Sequence, residues 1–187
     1  MQTKNAIEKD IDRILVKESE IDSIVLKIAE EIDSDYKTRG KSLLLLGILK
    51  GSVVFMGDLM KKLTVPVEID FMKVSSYASG TVSSGRINII LDLQRKDLSE
   101  RDILIVEDII DSGRTLSYLV EYLKINGARS VKTCTLLDKP SRRTVDFVPD
   151  YVGIEIPDEF VVGYGLDFNE QYRALPYIGV LRPEVYS

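Results

Sequence analysis

The spacing of apolar positions along the chain changes several times, and each change marks an element. Residues 20–38, EIDSIVLKIAEEIDSDYKT, place Ile21, Ile24, Val25, Ile28, Ala29 and Ile32 at helical intervals with acids and lysines between them, which predicts an amphipathic surface helix. SLLLLGIL, residues 42–49, is an almost unbroken apolar run too short for most helices, so it predicts a strand buried on both faces. Lys50-Gly51-Ser52 then opens a second helix over VVFMGDLMKKL. VEIDFMKV (67–74) and RINIILDL (86–93) read as strands, separated by SSYASGTVSSG, a serine- and glycine-rich loop with no means of burying itself. DILIV (102–106) is another buried strand, and SVKTCTLLD (130–138) is the next. Between them RTLSYLVEYLKINGA carries Leu116, Leu119, Val120 and Leu123 on one helical face and ends at the stop Asn126-Gly127.

The order strand, helix, strand, strand, strand, helix, strand implies an α/β domain with a parallel sheet and a hairpin-like excursion. DYVGIEIP and FVVGYGLDFNEQYRALPYIGVL follow as short strands and aromatics suited to a cap over one end of that sheet. With no repeat, low-complexity tract or proline-rich linker, residues 1–187 are expected to form one domain, with a core over about 20–150 and a hood from 1–15 and 151–187.

Composition narrows the chemistry. The chain is 44% hydrophobic and 29% charged, and its net charge of −5 provides no general basic surface for nucleic acid. No histidine is present, which removes His-based triads, zinc sites and general bases and leaves carboxylates, lysine, tyrosine and backbone groups. The single Cys134, in the apolar run VKTCTLL, rules out an internal disulfide and reads as a buried structural thiol. The start MQTKNAIEKDIDRIL has no apolar stretch of signal-peptide length, and nothing approaches the roughly 18 consecutive apolar residues of a membrane span. A cytoplasmic protein without membrane partners is expected.

The chemistry concentrates where parallel strands end, the usual place for ligands in α/β sheets. Three loops qualify: Leu49-Lys50-Gly51-Ser52, Glu107 to Thr115, and Asp138-Lys139-Pro140. In ILIVEDIIDSGRTL, Ser112, Gly113, Arg114 and Thr115 sit where a helix begins, so unpaired backbone N–H groups and the positive helix end form a monophosphate cradle. Glu107 and Asp108 would repel that phosphate and suit sugar hydroxyls or a water-bridged Mg²⁺ instead. Asp111, between acids and cradle, falls near the middle of a ligand with a sugar at one end and a phosphate at the other, and a ribose 5-phosphate fits. Arg39-Gly40-Lys41-Ser42 is like the end of a P-loop, but Asp35 stands at the first glycine position and the segment precedes a strand.

Val106-Glu107-Asp108-Ile109-Ile110-Asp111-Ser112-Gly113-Arg114-Thr115-Leu116 resembles the phosphoribosyl pyrophosphate (PRPP) signature of type I phosphoribosyltransferases, in the form used by the 6-oxopurine enzymes. LLLLGILKGSVVFMGDL, the SSY loop, CTLLDKPSRR and IPDEFVVGYGLDFNEQYRALPYIG extend the likeness from about residue 40 onward. The resemblance implies the type I phosphoribosyltransferase fold: a twisted parallel sheet flanked by helices, a C-terminal hood and a flexible lid loop. It further implies that Glu107 and Asp108 contact the ribose hydroxyls and a Mg²⁺, that Asp111 exchanges a proton at purine N7, and that residues 111 to 115 hold the 5-phosphate.

By the same resemblance Lys50 and Gly51 form the pyrophosphate loop, with a cis peptide before the lysine, and Arg173 contacts pyrophosphate. Lys139 donates to purine O6, Phe160 stacks on the base, and the backbone of Val161 faces the ring edge. Asp167 lies by the purine and ligates a second Mg²⁺, while Ser76 and Tyr77 begin the lid. Arg114 occupies a variable position of the signature, and Ala78 stands where many relatives have glycine. The implied reaction joins PRPP to hypoxanthine or guanine and gives IMP or GMP and pyrophosphate, in a family that commonly forms homodimers or homotetramers. Two rivals are an RNA-binding regulator on the same fold, which the acidic balance disfavours, and a pyrimidine or xanthine transferase, which Lys139 with Phe160 disfavours.

Overall fold

The computed structural model describes residues 7–38, 40, 42–76, 87–95 and 97–186. Among these the elements follow in the order β1 (Ile11–Val16), α1 (Glu18–Tyr36), β2 (Leu43–Ile48), α2 (Val53–Lys62), β3 (Val67–Ser76), β4 (Ile87–Leu91), β5 (Asp102–Ile110), α3 (Arg114–Ile125), β6 (Ser130–Asp138), β7 (Tyr151–Glu155), β8 (Val161–Val162), β9 (Ile178–Leu181) and α4 (Pro183–Tyr186). Six strands form one sheet in the order β4-β3-β2-β5-β6-β7. Within it β2, β3, β5, β6 and β7 run parallel and β4 turns back antiparallel on β3, which is the excursion the pattern predicted.

The unbroken apolar runs have a direct cause: both faces of the central strands are covered. Leu43 and Leu45 of β2 and Leu104 and Val106 of β5 point into a core shared with α1 and α2. Their neighbours Leu44, Leu46, Ile103 and Ile105 point to the opposite face, against Leu116, Leu119 and Leu123 of α3. A strand buried on both faces has no polar side to alternate with.

A separate antiparallel sheet of order β1-β9-β8 forms the hood, around Ile11, Val162, Tyr172, Leu175 and Leu181. The boundary near residue 150 needs correcting, because β7 does not join this hood. It pairs in parallel with β6 at the edge of the main sheet, anchored by buried Tyr151, whose hydroxyl donates to Asp35 at 2.6 Å. The short strand and aromatic that suggested a cap belong instead to a sheet edge, where Tyr151 is buried, Val152 to Ile154 are half-buried and Glu155 is exposed.

Candidate active site

The carboxyl ends of β2, β5 and β6 bring the three loops together. After β2 the peptide Leu49–Lys50 is cis, and buried Ser52 donates its hydroxyl to the Ile48 carbonyl at 2.6 Å. Gly51 faces the acids directly: a Cβ built on it would lie 1.6 Å from Asp108 Oδ2. No side chain fits between this loop and β5.

Glu107 and Asp108 lie inside β5, which runs four residues beyond the DILIV read as the strand. The loop expected from Glu107 begins only after Ile110, because Glu107, Ile109 and Ile110 pair with Thr135, Leu137 and Asp138 of β6. This holds the two carboxyls rigidly side by side. Glu107 Oε2 is buried with no hydrogen-bond partner among the described residues. Burial, and then the adjacent Asp108, push the Glu107 carboxyl well above its ordinary range, and burial also raises Asp108. Such a pair is suited to a cation that would replace the lost hydration. No group of three or more potential metal ligands occurs among the described residues. Two carboxylates supplemented by substrate and water oxygens are a coordination pattern that suits Mg²⁺.

Beyond Ile110 the chain turns at Gly113, whose φ of 79° is the left-handed conformation that glycine adopts without penalty. Glu107, Asp111, Ser112, Gly113 and Thr115 line a cavity of about 150 Å³ ahead of α3. Arg114, predicted with these residues, does not line the cavity: its backbone N–H donates to Ser112 Oγ at 3.4 Å and its Nε to Thr144 Oγ1 at 3.1 Å. A second cleft of about 440 Å³ adjoins the first through Ile109 and Asp111, which line both. Lys139, Phe160, Val161 and Asp167 complete its inner wall. Lys139 is buried, with Nζ donating to the Glu159 carbonyl at 2.8 Å and lying 3.8 Å from Asp111 Oδ1.

Arg173 binds Asp167 at 2.8 Å and the Gly165 carbonyl at 2.7 Å. Lys50 reaches Glu170, with both carboxylate oxygens 3.0 Å from Nζ. Ser76 ends β3, whereas Tyr77 and the rest of the expected lid lie outside the described residues.

The model of the phosphoribosyl transferase domain family matches residues 13–169. The chain belongs to the phosphoribosyltransferases. Hypoxanthine-guanine phosphoribosyltransferases of Bacillus subtilis and Lactococcus lactis are each 53% identical to it, over 97% and 100% of this chain and 99% and 100% of theirs. It also matches the bifunctional protein TilS/HprT of Listeria monocytogenes at 51% identity, spanning 28% of that longer protein. A Staphylococcus aureus hypoxanthine phosphoribosyltransferase superposes with a TM-score of 0.92 at 47% identity over the whole of both chains. A Trypanosoma cruzi variant solved as a ternary substrates complex gives 0.90 at 42% identity, over 96% of this chain and all of its own.

Three residues of this phosphoribosyltransferase escaped the sequence reading. Arg143 donates to the Asp111 carbonyl at 2.5 Å and pairs with buried Asp138, so it straps the turn after β5 to β6. Tyr186 stacks on Phe160 with centroids 4.7 Å apart and rings 20° from parallel, while Phe168 meets Phe160 edge-on. Glu170 bridges Lys50 and Arg173. Each acquires its meaning from a partner that the fold brings to it; Arg143 and Glu170 lay in segments that extend the resemblance, and Tyr186 lay beyond them.

Proposed function

We propose that the chain salvages purines by transferring the 5-phosphoribosyl group of PRPP to N9 of hypoxanthine, and of guanine, releasing pyrophosphate. One observation carries this reading: Asp111 and Ile109 line both the small cavity at the head of α3 and the larger cleft beside Lys139 and Phe160. A ligand with a phosphate at one end and a planar base at the other would fill both and place its sugar between them, beside Glu107 and Asp108.

In this reading the backbone N–H groups from Ser112 to Thr115 hold the 5-phosphate at the positive helix end. Phe160 stacks on the base, with Ile109 on the wall opposite, and Lys139 donates to O6. Val161 presents its backbone to the ring edge and Asp167 closes the cleft. Asp111 accepts or returns the proton at N7, a role worth about 10²–10⁴ in rate for such groups. As the C1–oxygen bond breaks, positive charge grows on the ribose, and the carboxylates of Glu107, Asp108 and Asp111 stabilise it while Lys50 and Arg173 receive the leaving diphosphate. Glu107 and Asp108, with Asp167 for a second ion, would hold Mg²⁺, which when bound supplies charge neutralisation at the diphosphate.

The setting proposed is the cytoplasm, supported by the buried lone cysteine and by the lack of any helix long and apolar enough to cross a membrane among the described residues. Assembly into homodimers or homotetramers belongs to the same reading. The reaction is tested by a spectrophotometric assay with PRPP, Mg²⁺ and each of hypoxanthine, guanine, xanthine and adenine. Turnover with the first two, well above the others, is expected; turnover with none of them would refute the reading.

A further inference from the structure

The turn beyond the purine cleft carries a carboxylate that this chemistry does not use. Asn169 and Glu170 both adopt left-handed backbone conformations, with φ of 50° and 61°. These are uncommon for residues with side chains and cost free energy unless the surroundings impose them. Here they are imposed: the Glu170 N–H donates to Asp167 Oδ2 at 2.9 Å, and Phe168 and Gln171 close the turn with reciprocal backbone bonds of 3.3 and 3.0 Å. The result is directional. Both Glu170 carboxylate oxygens lie 3.0 Å from Lys50 Nζ, and Oε2 lies 3.5 Å from Arg173 Nη2. One acid therefore occupies the two cations assigned to the leaving diphosphate.

We propose that Glu170 is a built-in counter-ion for the leaving-group site. It holds Lys50 and Arg173 in the unliganded enzyme, yields them to the diphosphate of PRPP, and competes for them again as pyrophosphate departs. The identity of the anion rests on the transferase reading above. Glu170 is 64% exposed and Lys50 50%, and an exposed pair is weak enough for a multiply charged anion to displace. The Glu170 carboxylate faces the same two cations that an arriving anion would use, so it opposes that anion as well as pairing them. Arg173 keeps Asp167 and the Gly165 carbonyl when Glu170 leaves, so its geometry survives the exchange. Glu170 thereby tunes how tightly diphosphate is held and how readily it is released.

The test is calorimetric titration of magnesium pyrophosphate into the wild type, Glu170→Gln and Glu170→Lys, which requires no turnover. Glu170→Gln is expected to bind roughly two- to fivefold more tightly than wild type, and Glu170→Lys more tightly still, with the KM for hypoxanthine nearly unchanged. Equal or weaker pyrophosphate binding by Glu170→Gln would overturn the inference, since Glu170 would then serve only to hold Lys50 in place. Tighter binding in a protein that transfers to no purine would uphold the anion site and refute the proposed reaction.

Discussion

Glu107 is packed into a strand with one carboxylate oxygen buried and, among the described residues, without a hydrogen-bond partner, a costly arrangement for stability that is useful only if a cation or a cationic transition state meets it. Because its carboxyl is raised above the ordinary value by burial, the folded chain holds this proton more tightly than the unfolded one. Its favourable contribution is complete below the unfolded carboxyl value of about 4.3 and is lost as pH rises through the raised folded value. In magnesium-free buffer Glu107→Gln should therefore melt above the wild type at pH 8, with the gap closing as pH falls toward that of the free carboxyl. Thermal melts across this range check it, and an equal gap at every pH would contradict it. Glu107 and Asp108 were legible as ligand-facing acids because they interrupt an apolar run. Glu170 and Tyr186 were not: a glutamate in a polar turn and a terminal tyrosine acquire meaning only from Lys50 and Phe160, which the fold brings to them.

At the scale of elements, the phosphate turn between β5 and α3 is braced from the side. Arg143 binds the Asp111 carbonyl and buried Asp138, and the Thr144 N–H donates to the Ser112 carbonyl at 3.1 Å. A Cβ on Gly113 would stand 2.9 Å from Arg143 Cδ, so turn and brace fit without spare room. Arg143→Met would leave the Asp138 carboxylate buried and unpaired, a loss of about 3 kcal/mol by comparison with other broken buried pairs. Urea denaturation should register it, and the KM for PRPP should rise more than the KM for hypoxanthine. The central strands and all three longer helices were readable from period alone, because two-sided and one-sided burial leave different patterns. The end of β5 was not: backbone pairing with β6 continues through Glu107 and Asp108 whatever their side chains, and hydropathy reports side chains. The edge position of β7 was hidden because a short strand with an aromatic suits a hood equally well, and only its pairing with β6 places it.

Across the whole molecule, the six-stranded sheet carries the acids, the turn after β5 and Lys139 at its carboxyl ends, while the segment running into the hood supplies Phe160, Val161 and Asp167 to the same cleft. A ligand spanning both parts should bind only the folded arrangement and stabilise it. At about 100 times its dissociation constant, IMP or GMP should add about 2.7 kcal/mol, a rise of roughly 5–10 °C in melting temperature for a chain of this size. Ribose 5-phosphate alone, which leaves the hood uncontacted, should give less at the same concentration.

Asp111 is the residue on which the two halves of the site converge, so its substitution tests the account most directly. Asp111→Asn keeps the shape, removes the proton acceptor, and should lower kcat by about 10²-fold or more while the dissociation constant for IMP changes little. An unchanged kcat in steady-state assay would contradict the assignment of Asp111 and, with it, the division of one ligand between the two cavities.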